Sequence, residues 1–586
     1  MKQLLLCLFL ISSCFASCFA GEMTVLGVQE RGDEYIGLFA TLNLEIISGS
    51  GRVFFNTMPL AETDTQSSAR MAVDVACQTL EINCNDKDFL YSISANSPMI
   101  GGPSAGAAMS ILAMSELMGA DLKTDAAITG TINPDKSIGV VGGVVEKAKI
   151  CQDSGLKTIL IPKGTKYLFD NESLNLDIIE VETINQAYAF FSGIIFSEPS
   201  SELNKSKFND FMKIMSENLI DYANSSFNQL INTNISKLND TDSLSIESLI
   251  NSTSKDIETM NELYLQENYY SASSYSVRVG INSIYTTYLI DYLLNLSDLP
   301  KMISEINSSI NVFENNFGNK LIIDNANDFE AISISIERMF EAKDLLNSSI
   351  DDFQHNDSIS ALYNLAFAKV RLKTSESWFG LKDLLTGDLY YEFNQDDFSE
   401  LAYTRIENAK TLLNYAKSMQ ESYYTESSND LIDRSVQAYN NGNIVFSLFE
   451  SLKSISNSNL ALSLAGVTDE NLDERITILM DLAAKNINLA ESKKIIPILA
   501  YSYYEYGQTF KDSEPLQAII FFEYSKQFSL LSEQLASQAI SKENNEIIID
   551  YNIILPKIAV SFLIGLLIAL LVLEVYYERA LFNKRK

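Results

Sequence analysis

The feature that most constrains this chain is a change of texture near Ser197. Before it, glycines recur and short apolar runs alternate with polar turns. Beyond it, residues 201–550 hold only seven of the 25 glycines and three of the ten prolines. Leu, Ile, Tyr and Phe recur there at helical intervals. A chain of 586 residues is too long for one hydrophobic core. The pattern predicts an α+β domain over residues 21–198 and a mostly α-helical domain over residues 199–552. In the first, residues 35–47, 51–56, 90–94, 126–131 and 158–161 read as strands. Residues 63–81, 105–117 and 144–153 read as helices, the last closed by Gly155. In the second, four stretches look weakly alike: 269–288, 358–378, 443–458 and 515–531. Each follows a polar turn, so helix pairs of a repeat type are one reading and an irregular bundle is the other.

The two ends carry signals of their own. Lys2 precedes an apolar run over residues 4–11, and small residues lead to Ala20. Residues 1–20 therefore read as a secretory signal peptide. Residues 553–575 are apolar except for a few positions, among them Pro556, Lys557 and Ser561, and are long enough for one transmembrane helix. The tail over residues 576–586 holds Arg579, Lys584, Arg585 and Lys586, which places the C-terminus in the cytoplasm and the bulk of the chain outside. Sequons such as those at Asn204, Asn234 and Asn307 suit an external surface or reflect plain Asn/Ser richness.

Composition removes several functions. The formal net charge is −33, from 43 basic and 76 acidic residues. Nucleic acid is thereby excluded as a main partner, because phosphate binding needs a basic face. The single histidine, His355, sits beside Asn356 and Asp357 in a turn, so His-rich metal sites are excluded and neither a metal nor a cofactor is expected. Outside the signal, the cysteines are Cys77, Cys84 and Cys151. Cys77 and Cys84 pair in an exported chain, or all three are buried thiols.

Chemistry concentrates between Pro98 and Pro162. Gly101-Gly102-Pro103-Ser104-Ala105-Gly106 gives a tight glycine turn, a proline suited to the first helical position and a small-residue helix start. Ser104 is thereby expected at a helix N-terminus, where free N–H groups favour negative charge. Gly102-x-Ser104-x-Gly106 also fits a nucleophile elbow, but that motif needs a histidine, and only the remote His355 exists. A better base lies downstream. Lys147 falls in the first turn of the helix at 144–153, among Val144, Val145, Ala148 and Ile150. Desolvation and the positive helix end disfavour its cation, and a neutral amine acts as a general base. Taken alone, Lys147 also reads as an ordinary surface lysine, Ser104 as a helix cap and Thr129 as a buried strand residue.

The glycine turn at 101–106, Thr129-Gly130, and Val141-Gly142-Gly143-Val144-x-Glu146-Lys147 together resemble the proteolytic domain of Lon-type peptidases. Thr129 and Lys147 follow Ser104 by 25 and 43 residues. Residues 155–162 fit as well. Upstream, Gly51-Arg52-Val53 and Asp64-Thr-Gln-Ser-Ser-Ala-Arg70 resemble a membrane-anchored archaeal branch of Lon-like serine peptidases. The resemblance covers roughly residues 30–195. It implies an α+β Lon-type fold, Ser104 as nucleophile, Lys147 as general base and Thr129 as the group that orients the lysine. Backbone around Gly102, Pro103 and Ala105 would hold the oxyanion. The family often has an acid at the Gly101 position, another shortly after Thr-Gly, and proline at Val141; all three are missing here. No Gly-x4-Gly-Lys-Ser/Thr phosphate loop occurs in the sequence. The implied protein is an ATP-independent serine endopeptidase acting on protein or peptide substrates, anchored by one helix, with homo-oligomers expected by analogy. The competing reading is an inactive Lon-like scaffold or adhesion protein with a helical interaction domain.

Overall fold

The computed structural model describes residues 19–541, apart from 32–33, 62, 101, 171, 198, 234, 319–325, 383–388, 391–394, 420, 465–466, 468–471 and 539. Most of the expected signal segment (residues 1–18) and all of the expected membrane span (553–575) and tail (576–586) lie outside those residues. Strand β1 begins at Phe19, two residues ahead of the expected mature start. Among the described residues no helix is long and apolar enough to cross a membrane.

The first sheet arises from β1 (Phe19–Arg31), β2 (Glu34–Ser48) and β3 (Val53–Ala61), then α1 (Thr63–Thr79), β4 (Lys87–Ile100) and α2 (Gly106–Met118). Its order is β1-β2-β4-β3. β2 is antiparallel to both β1 and β4, whereas β3 runs parallel to β4 through the α1 crossover. Alternation sets the buried face: Ala40, Leu42 and Leu44 on β2 and Phe89, Tyr91 and Ile93 on β4 are buried. α1 and α2 cover that face. α2 is buried from Gly106 through Ser115, as a helix of small and apolar residues on all sides must be.

The second layer follows from β5 (Ala126–Ile128), β6 (Thr131–Ile132), β7 (Ile138–Gly139), α3 (Val144–Asp153), β8 (Thr158–Pro162), β9 (Asp177–Val181) and α4 (Ile184–Ser192). β5, β8 and β9 form a parallel sheet; β6 and β7 form a short hairpin around the Asn133–Lys136 turn. β8 is buried at every position, the signature of a parallel strand covered on both faces. Cys77 and Cys84 are joined in a disulfide, which ties the end of α1 to the loop before β4; Cys151 is a buried free thiol.

The region after Ser197 is helical, as its texture requires. It holds α5 (Ser206–Ile231), α6 (Asp240–Leu265), α7 (Tyr269–Leu293), α8 (Leu299–Gly318), α9 (Ala326–Gln354) and α10 (Ser358–Leu381). There follow α11 (Gln395–Met419), α12 (Tyr423–Asn440), α13 (Ile444–Leu464), α14 (Leu472–Ser492), α15 (Ile498–Phe510) and α16 (Pro515–Gln538). The four look-alike stretches fall on α7, α10, α13 and α16. Each packs on the helix before it. Glu267, Asn356 and Gly442 take positive φ in three of the intervening turns, which is why those turns are polar and Gly-bearing. His355 sits exposed in the second of them, its Nδ1 2.9 Å from the Asp351 carbonyl oxygen.

The helical region packs against the first domain. Leu412, Leu413 and Tyr415 of α11 and Ile455 of α13 share one core with Ala69 and Ala72 of α1. Lys526 of α16 is fully buried in an ion pair with Asp135 of the β6–β7 turn, and pairs with Glu523 at 2.7 Å.

Candidate active site

The Ser104 loop joins β4 to α2. Sequence places Pro103 at the first helical position, but the structure begins α2 at Gly106 with Ala105 as its cap residue. The reason is a tight turn: the Gly106 N–H donates to the Pro103 carbonyl at 3.0 Å, and helical bonding starts only beyond it. Ser104 therefore stands two residues ahead of the helix, half-buried. Among the described residues, neither the Ser104 nor the Ala105 N–H has an acceptor. Pro103 has no N–H to give an oxyanion, and its role is the opposite one of accepting. The Ser68 hydroxyl also donates to its carbonyl at 3.3 Å, and the Thr65 hydroxyl donates to that of Gly102 at 3.4 Å. Two hydroxyls one helical turn apart on α1 thus pin the loop. Gly106 makes this approach feasible: a Cβ there would lie 2.6 Å from the Ser68 Oγ and 3.0 Å from the Ile132 nitrogen.

The loop is also tied to the segment after β5 that carries Thr129. The Gly130 N–H donates to the Ser104 carbonyl at 3.0 Å, and the Ala107 N–H donates to the Gly130 carbonyl at 3.2 Å. Ser104 and Thr129 are thereby brought together through backbone. Thr129 is buried, and its Oγ1 has no hydrogen-bond partner among the described residues. A buried hydroxyl left unmatched is costly and asks for an occupant of the site.

Lys147 lies in the first turn of α3. It is 2% exposed, among the most completely buried large side chains described. Its neighbours on the helix, Val144 and Ala148, belong to an apolar cluster with Val141, Ile159 and Phe169. Gly37 of β2 lets α3 sit close to the sheet, since a Cβ there would meet the Glu146 carbonyl at 2.7 Å. Helical side chains lean toward the N-terminus. The Lys147 amine accordingly reaches back to donate to the Gly142 carbonyl at 3.0 Å. No direct hydrogen bond joins it to Ser104 among the described residues. Burial pulls its pKa down from 10.5 to about 8, against a smaller opposing pull from the Glu146 carboxylate. The positive end of α3 acts in the same direction as burial.

Sequence reasoning missed three supporting features. Thr65 and Ser68 belong to the stretch quoted above for its resemblance, but nothing in the chain order tells which hydroxyl meets which carbonyl. Asp135 reads as a turn former, yet it is buried. Burial pushes its pKa up, but Lys526 and the Ser137 hydroxyl outweigh that and hold it below the usual carboxylate value. Its partner lies almost 400 residues away, so no local pattern announces it.

Residues 68–188, which hold this loop, match the family model of the Lon protease (S16) C-terminal proteolytic domain. The match contains Ser104, Thr129 and Lys147. The Lon protease of Haemophilus influenzae is 30% identical over 179 residues, covering 29% of this chain and 22% of that protein. The Lon protease of Escherichia coli K12 is 29% identical over 175 residues, covering 28% and 22%. The archaeal Lon protease of Methanocaldococcus jannaschii is 32% identical over 107 residues, covering 18% and 16%. The chain thus spans about a fifth of the length of these relatives. The helical region lies beyond the residues matched by the family model.

Proposed function

We propose that the chain is a serine endopeptidase that hydrolyses peptide bonds with Ser104 as nucleophile and Lys147 as general base. The observation that carries this reading is the buried Lys147 amine, at about 8, in a domain whose Ser104 loop presents two N–H groups without an acceptor among the described residues. In the first half-reaction the neutral Lys147 amine takes the Ser104 hydroxyl proton as Oγ bonds to the substrate carbonyl carbon. The carbonyl oxygen becomes an oxyanion, and the Ser104 and Ala105 N–H groups donate to it. The C–N bond then breaks, and the Lys147 ammonium gives its proton to the leaving amine. In the second half a water loses its proton to Lys147, attacks the acyl ester and releases Ser104 as the alcohol. Thr129, with its free hydroxyl, is a positioning residue for the lysine once substrate enters.

The chain is further proposed to work without ATP and outside the cytoplasm, anchored by the apolar segment at 553–575. The absence of a phosphate-loop motif from the 586 residues supports the first. The apolar start, the basic tail and the Cys77–Cys84 disulfide support the second, because disulfides persist in oxidising compartments. The test is hydrolysis of an unfolded casein-type substrate by the purified chain, with and without ATP, beside Ser104→Ala and Lys147→Ala. Nucleotide-independent cleavage lost in both variants is expected. Equal activity in all three proteins would defeat the dyad.

A further inference from the structure

α1 has two faces with different partners. One turns Thr65 and Ser68 to the Ser104 loop. The other turns Arg70 and Asp74 into a cavity of about 650 Å³ between the Lon-type domain and the helices α11, α13 and α16. That volume lies in the range of sites for small ligands.

The lining of the cavity is unusual for this chain. The whole sequence has eleven arginines against a net charge of −33, and three of them, Arg52, Arg70 and Arg405, meet here. Asp74 is the one carboxylate among the described lining residues. Arg405 is half-buried, and its Nε, itself shielded from solvent, has no hydrogen-bond partner among the described residues. Burial pulls Arg405 down to about 10, which still leaves its guanidinium charged at neutral pH. A shielded, unmatched guanidinium Nε is suited by an anion with oxygens in one plane, which a carboxylate supplies. Around it stand Asn408, Thr411 and Gln527, which offer both donors and acceptors, and an apolar floor that includes Leu412, Ile455 and Leu531. Beyond its carboxylate a fatty-acid chain offers these polar groups nothing, whereas a peptide backbone carries both donors and acceptors for them.

We propose that this cavity is an exosite that holds the free carboxyl terminus of a short apolar peptide segment, with its carboxylate on Arg405. The inference rests on the peptidase reading for the source of such peptides. α1 contributes side chains both to the cavity and to the nucleophile loop.

Binding is measured by calorimetry on the full chain carrying Ser104→Ala, so that no probe is hydrolysed. The probes are acetyl-Leu-Ile-Val-Leu with a free carboxylate, the same peptide as its C-terminal amide, and dodecanoate. The acid is expected to bind at least about tenfold more tightly than the amide, the worth of a charge-assisted hydrogen bond. Arg405→Gln should erase that preference. Arg70→Gln, a change at an exposed side chain, should weaken the acid severalfold and serves if Arg405→Gln does not fold. Equal binding of acid and amide, no binding, or tighter binding of dodecanoate than of the acid would overturn the exosite. Because the readout needs no hydrolysis, its failure is separable from that of the peptidase reading: a chain that discriminates acid from amide but cleaves nothing retains the exosite and loses the dyad.

Discussion

The pH dependence of Ser104 reactivity is the sharpest consequence of the buried lysine. With a pKa of about 8, the Lys147 amine is neutral in about one molecule in ten at pH 7, in half at pH 8 and in about nine in ten at pH 9. An unperturbed lysine at 10.5 would be neutral roughly once in 3,000 at pH 7. Burial therefore raises the supply of base about 300-fold at neutral pH, equivalent to roughly 3 kcal/mol. The assay is the second-order rate of Ser104 acylation by a fluorophosphonate between pH 6 and 10, followed by mass spectrometry. The rate should climb about tenfold per pH unit below 8, flatten above it, and rise roughly 90-fold from pH 6 to pH 9. Lys147→Ala should remove both the slope and the label. A flat profile, or one that still climbs at pH 10 as an exposed lysine would, refutes the argument that desolvation activates this amine.

Three further outcomes follow from the same contacts. Lys147→Met should stabilise α3 at pH 7 by about 1–2 kcal/mol, the relief of charge burial less the lost bond to Gly142. The unfolded lysine keeps its proton up to about 10.5 and the folded one only to about 8, so wild-type stability rises with pH between those values. The advantage of the variant should accordingly shrink toward pH 10, as read from amide exchange of α3 in matched samples. Ser68→Ala removes the hydroxyl that donates to the Pro103 carbonyl, and should lower kcat about five- to tenfold with KM little changed, in steady-state peptide hydrolysis. Lys526→Met leaves the buried Asp135 and Glu523 carboxylates without their shared cation and should cost about 3–5 kcal/mol in denaturant unfolding, whereas adding Asp135→Asn and Glu523→Gln should recover most of it.

Much of the architecture is legible in the amino-acid order because it depends on neighbours a few residues apart. Alternation over Ala40, Leu42 and Leu44 specifies a strand with one buried face. Small residues from Gly106 onward specify a helix that can be buried all round. The polar turns ahead of residues 269, 358, 443 and 515 mark the second helix of each pair. The glycine turn at Ser104 and the place of Lys147 in a first helical turn belong to the same class, since both need only local spacing. Other facts required distant parts of the chain to meet. The start of α2 at Gly106 rather than Pro103 depends on donors to the loop carbonyls supplied by the α1 hydroxyls and the Gly130 N–H. The lowered pKa of Lys147 depends on the burial that follows when Gly37 admits α3 closely to the sheet. The burial of Asp135 depends on a lysine from the last described helix, and the arginine cavity exists only between two domains. Sequence set the local dihedrals and which faces are apolar; burial and charge pairing, which fix how easily a group holds its proton, were decided by the tertiary structure because both depend on separations in space that chain order does not encode.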